Sequence, residues 1–240
     1  MLNHKFQKKT IVIGLGGSIV HPDEINVSYV QELKKFLLKH TQEGKKFIIV
    51  IGGGALARRF QLAAEKISQV TDEQKDWLGI HATRLNAQLL RAIFGEEIAD
   101  PIVLHRRFKF RRLRRKPITI ASGWRPGAST DNVAAILAKD YGADCFIIAG
   151  KPSHVFDKDP SKDKTAKPFE NLTWSEYQNL IPEKWTPGLH APVDPTATHF
   201  AKQNHITGIV INGEDLKNFD ALLSGKEFEG TILSVGQMSY

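Results

Sequence analysis

Two short glycine clusters are the places where this chain could hold a phosphate. Gly16-Gly17-Ser18 closes the β-branched run Thr10–Leu15, and Gly52-Gly53-Gly54 closes the continuous apolar run Phe47–Ile51. Glycine lets backbone N–H groups approach an anion closely, and Ser18 adds a hydroxyl donor. The second cluster also opens a helical pattern over Ala55–Ile67, and a helix N-terminus favours negative charge. Arg58 lies one helical turn beyond Gly54, where its guanidinium could fork onto phosphate oxygens. Neither cluster is a Walker loop, since no Gly-Lys-Ser/Thr follows, and neither matches GxGxxG. A single Gly-Gly-Ser after a strand is ordinarily just a tight turn. Two that end successive parallel strands argue for a ligand at the carboxyl edge of a sheet.

A third segment, Gly123-Trp124-Arg125-Pro126-Gly127-Ala128-Ser129-Thr130-Asp131, also follows a strand and precedes a helix. On one reading Ser129 or Thr130 simply caps that helix. On the other the segment adds an anion or sugar site, with Asp131 orienting cationic groups near the phosphates.

The elements that would position these residues alternate between strand and helix, the pattern of β/α units on a mainly parallel sheet. Asn26 caps a helix with Val27, Val30, Leu33 and Leu37 on its apolar stripe, ended by Gly44. Thr71 and Gln74 have capping-box spacing and open a helix from about 72 to 94. Strands are expected at Ile102–Leu104, Ile118–Ala121 and Cys145–Ala149, with a helix from Asp131 to about Tyr141. The stretch 150–171 reads as loop, and Thr173 with Glu176 makes a second capping box. The chain closes as helix (Asp194–Gln203), strand (Ile209–Ile211), helix (Glu214–Leu223) and strand (Thr231–Val235).

Composition narrows the setting. The 240 residues suit one large α/β domain that needs no covalent staple. The one cysteine, Cys145, excludes a disulfide framework and points to a reducing compartment. No apolar run is long enough to span a bilayer, and 1–9 lacks a signal-peptide core, so a soluble cytoplasmic protein with no membrane partner is expected. The net charge of +7 is local: Arg106–Lys116 holds eight Lys/Arg and no acid, leaving about −1 elsewhere. That stripe reads either as a solvated face or as a weak RNA or polyanion contact. His154, His190, His199 and His205 include no His-x₃-His pair, and no metal ligands are assigned.

The segments Ile11–Val20, Val50–Phe60, Lys75–Leu90, Pro126–Ala138, Val155–Lys167 and Val193–Ala201 together resemble the amino-acid kinase superfamily, and within it the archaeal-type uridylate (UMP) kinases. They occur in family order across nearly the whole chain. The resemblance implies a three-layer αβα sandwich with a mainly parallel central sheet. It would form one domain over 1–240, with a phosphate- and acceptor-binding lobe to about 143 and a nucleotide-binding lobe beyond. It implies transfer of a phosphoryl group from ATP, with Mg²⁺, to UMP, by a homo-oligomer (dimer or hexamer). Carried over by position, Gly16, Gly17, Ser18, Gly54 and Arg58 would hold ATP phosphates. Gly150, Lys151, Phe156 and Asp159 would border the adenosine. Gly52, Gly53, Asp76, Trp124, Arg125, Pro126, Gly127, Ser129 and Thr130 would hold the acceptor. Asp131 and Arg58 would be catalytic.

The chain departs from its relatives in charge. A lysine that most members carry two residues before the first glycine pair is Gly14 here, the archaeal lysine after the triple glycine is Ala55, and a third basic position is His199. Losing a charge aimed at the transition state costs several kcal/mol, on the order of hundreds in rate. Two other readings follow: a nucleotide-binding regulator or storage protein (like the molybdenum storage protein) without efficient transfer, or a kinase of another small acidic substrate. Lys151 or Arg125 are the residues placed to restore the missing charge.

Overall fold

Alternate residues of the central strands enter two different cores, and this two-sided burial makes the molecule three-layered. The structure, a computed structural model, describes residues 2–107, 116–184 and 191–236. Its first half runs β1 (Leu2–Asn3), β2 (Thr10–Leu15), α1 (Gly17–Val20), α2 (Val27–Gln42), β3 (Lys46–Ile51), α3 (Gly54–Ile67), α4 (Asp72–Phe94), β4 (Ile118–Ala121) and α5 (Thr130–Tyr141). The second half runs β5 (Cys145–Gly150), β6 (Val155–Phe156), β7 (Pro168–Phe169), β8 (Asn171–Thr173), α6 (Trp174–Gln178), α7 (Pro195–Gln203), β9 (Thr207–Asn212), α8 (Leu216–Leu223), β10 (Glu227–Phe228) and β11 (Thr231–Ser234).

The seven-stranded sheet has the order β4-β3-β2-β5-β9-β11-β8. Every pairing in it is parallel except β11 on β9. Ile11, Ile13, Leu15, Phe47, Ile49, Ile51 and Ile147 face one core with residues of α2, α4 and α8. Val12, Ile48, Val50, Phe146, Ile148 and Val210 face the other with α5, α6 and α7. The expected αβα sandwich is therefore the fold. A period of two in fully apolar strands is invisible to a polar/apolar reading, because both faces are covered.

Caps behave as their residue types require. Asn26 accepts from Tyr29 N–H, and both capping boxes form, Thr71 with Gln74 and Thr173 with Glu176. Three expectations are corrected. The strand at Ile102–Leu104 is absent: residues 99–104 make only two isolated bridges to β4, Ala99 to Ile118 and Leu104 to Ala121, five residue steps set against three, so the ladder loses register between them. Val27 is exposed, and Tyr29 and Phe36 are buried in its place on α2. The loop 150–171 contains a two-stranded ribbon, β6 with β7.

Candidate active site

The chain carries both glycine clusters to one edge because β2 and β3 pair in parallel and in register, Leu15 opposite Ile51. The two turns then touch. A side chain at Gly17 would place its Cβ 2.3 Å from Gly54 N and 2.4 Å from the Gly52 carbonyl, and one at Gly52 would sit 2.7 Å from Gly17 N. Gly54 also has a φ of +63°, which favours glycine independently of space. Gly16 is the N-cap of the four-residue α1.

Helix α4 supports this edge from the side. Its buried Asn86 donates from Nδ2 to the carbonyls of Gly52 (2.9 Å) and Gly53 (3.2 Å). Thr83 Oγ1 accepts from Gly123 N–H at 2.8 Å, and Asp76 accepts from Gly127 N–H at 2.9 Å. One helix thus holds both the triple-glycine turn and the segment 123–131. Asn86 and Thr83 were not singled out from the sequence. The signal was present, since a polar Asn on the inward face of a helix needs partners.

These contacts frame a cavity of about 320 Å³. Of the residues proposed from sequence, Gly17, Ser18, Gly53, Gly54, Arg58, Asp76, Arg125, Ser129 and Thr130 line it. Gln61, Gly79, Ile80, Thr83, Gly123 and Ala128 line it as well. Gly16 and Gly52, the first residues of the two turns, do not line it. Trp124 lies outside the lining, its Nε1 donating to Leu104 O at 3.2 Å while its ring packs on the α5-side core. Gly127 instead lines a second, larger cavity with Thr196 and His199. Pro126 lines neither.

Gly150 ends β5 beside β2, with Gly16 N–H donating to Ala149 O at 2.9 Å. Lys151 follows, exposed, and Phe156 lies in the β6–β7 ribbon. Asp159 forms a turn, accepting from the N–H and hydroxyl of Ser161, which holds its carboxyl below the usual range. None of these four lines the 320 Å³ cavity.

The acids differ in environment. Burial raises the Asp76 carboxyl above its ordinary value, against the Gly127 hydrogen bond. Asp131, in the first turn of α5, is pushed well above the carboxylate range, first by burial and then by the Asp194 carboxylate. Asp194 caps α7 through Thr196 N–H (2.8 Å) and Ala197 N–H (3.2 Å) and also accepts from Ser129.

Residues 108–115 of the basic stripe and His190 lie outside the described residues. At the stripe's margins, Arg107 pairs with Asp140 and Lys116 with Glu97. No described helix is long and apolar enough to cross a membrane.

The pattern that defines the amino acid kinase family matches residues 9–212. The chain is 30% identical over 224 residues to the uridylate kinase of Thermococcus kodakarensis, covering 93% of this chain and 98% of that one. It is 31% identical over 229 residues to the uridylate kinase of Hyperthermus butylicus, covering 94% and 98%. The crystal structure of the uridylate kinase from Archaeoglobus fulgidus superimposes with a TM-score of 0.77 at 26% identity, over 93% of this chain and 99% of that one.

Proposed function

The chain belongs to the amino acid kinase family, and we propose that it is an ATP-dependent uridylate kinase, moving the γ-phosphoryl group of ATP onto UMP. The observation that carries this reading is the shared cavity. Both glycine turns, Arg58 and the Asp76–Ser129–Thr130 side line one space of about 320 Å³, so donor phosphates and acceptor would meet across it. In this reading Gly17, Ser18, Gly54 and Arg58 hold the triphosphate, while Gly150, Lys151, Phe156 and Asp159 border the adenosine. Asp76 and the segment 124–130 hold UMP.

In the transfer, an oxygen of the UMP phosphate bonds to the γ-phosphorus. The bond from that phosphorus to the β,γ-bridging oxygen breaks, and ADP leaves with the electron pair. A doubly ionised acceptor phosphate has no proton to lose, so positioning and charge neutralisation do the work. Asp131, in the first turn of α5 next to Ser129 and Thr130, does not itself line the cavity; its carboxyl accepts from the Asp194 backbone N–H, in the capping system that also holds Ser129. Mg²⁺ would enter as the metal of the nucleotide, with phosphates and water as its ligands. Bound there, it neutralises phosphate charge.

A second reading, nucleotide binding without efficient transfer, is favoured by β2, whose sequence Thr10–Leu15 carries no cation. ADP release with UMP, CMP, GMP and AMP as acceptors separates the two. UMP is expected to be fastest. ATP binding with no acceptor raising turnover above background hydrolysis rejects the kinase.

A further inference from the structure

The cavity contains two guanidinium groups and one carboxylate, Asp76. Neither Arg58 nor Arg125 has a side-chain hydrogen bond or ion pair among the described residues, whereas the adjacent Arg59 is paired with Asp23. Two exposed, unpaired forks lining one open cavity make a site for a dianionic phosphate, since each can donate two parallel N–H bonds to its oxygens.

The sheet side offers no charge at Gly14, where a Cβ would lie 2.7 Å from Ile148 Cδ1. Ala55 is buried, and Lys151 lies outside the cavity lining. Among the described residues, the cations that line the cavity are Arg58 on α3 and Arg125 on the acceptor segment.

We propose that Arg125 is a catalytic residue of this chain, binding the acceptor phosphate and neutralising the charge shared with the transferring group, so that the acceptor segment supplies what β2 lacks. This rests on the kinase reading above. Arg125 is exposed at the rim, held by a segment that α4 anchors at Gly123 and Gly127, so its replacement leaves the fold intact.

The test compares Arg125→Gln, Arg125→Lys and, as a control outside the cavity, Arg59→Gln, measuring kcat and KM for UMP and the Kd for ATP. Arg125→Gln is expected to lower kcat/KM for UMP by about 100-fold or more, the effect of losing one charged donor at a developing oxyanion. At least tenfold of that should fall in kcat, with ATP affinity changed less than threefold. Arg125→Lys should recover part of the rate, and millimolar guanidinium should partly rescue Arg125→Ala. Wild-type turnover of UMP with Arg125→Gln inside threefold of it overturns the role of Arg125 alone. Absence of wild-type turnover with every acceptor overturns the kinase reading and this role together.

Discussion

The hydroxyl of Ser129, the N-cap of α5, donates to the carboxylate of Asp194, the N-cap of α7. Two helices 65 positions apart in the chain therefore share one capping system at the carboxyl edge of the sheet, and Ser129 and Thr130 are held on the cavity wall by it. Tyr177 closes the arrangement by donating to Val193 O and accepting from Val193 N–H, both at 2.8 Å.

Asp194→Ala removes two backbone caps and strands the Ser129 hydroxyl. The expected cost is about 2–3 kcal/mol of stability, read by urea denaturation, and the KM for the acceptor should rise more than that for ATP. An acceptor KM unchanged in a folded variant would mean that the Ser129–Asp194 bond does not position the acceptor wall.

Asp131→Asn should separate stability from activity. Folding raises this carboxyl, so the folded state binds its proton more tightly and stability declines as pH rises from the ordinary 3.8 through the folded value. The amide has no such proton to lose. The variant is expected to gain on the order of 1 kcal/mol near pH 8 while losing activity, the exchange common at strained functional sites. Thermal melts at pH 5 and pH 8 check this: the wild-type–variant gap should widen at the higher pH.

Gly17→Ala tests the contact between the turns. Its Cβ would meet backbone atoms of Gly52 and Gly54 at 2.3–2.4 Å, and backbone cannot swing aside as a side-chain tip does. We expect a loss of about 1–3 kcal/mol in stability and at least tenfold weaker ATP binding by calorimetry. Wild-type affinity in the variant would show that the two turns need not touch.

Far from the cavity, Glu43 reports on the join between α2 and α8. Its carboxyl is held down to about 2, chiefly by the Lys45 hydrogen bond and then by buried His40, which also contacts Asp220. A depressed acid stabilises fully above its unfolded value near 4.5 and loses that contribution as pH falls toward about 2. Glu43→Gln should thus be destabilised by about 0.5 kcal/mol at pH 6, after allowance for solvent screening, and equal to wild type near pH 2. Denaturation curves at the two pH values decide it.

The sequence by itself determined the β/α alternation, the caps at Asn26, Thr71 and Thr173, and the identity of the two glycine turns as strand ends. Each is set by neighbours a few residues apart, so local spacing suffices to read it. The order of chain segments in the sheet, the contact of Gly17 with Gly54, and the support that Asn86 and Thr83 lend from α4 come only with tertiary structure. They join residues 33 to 40 positions apart, and the meeting of the two turns depends on β2 and β3 pairing in register. The same holds for charge. From sequence, Arg125 and Lys151 stood as equal replacements for a missing cation. Folding put Arg125 on the cavity wall and Lys151 beyond it, because a segment anchored at both ends by α4 must turn back over the glycine turns while the residue after β5 continues outward.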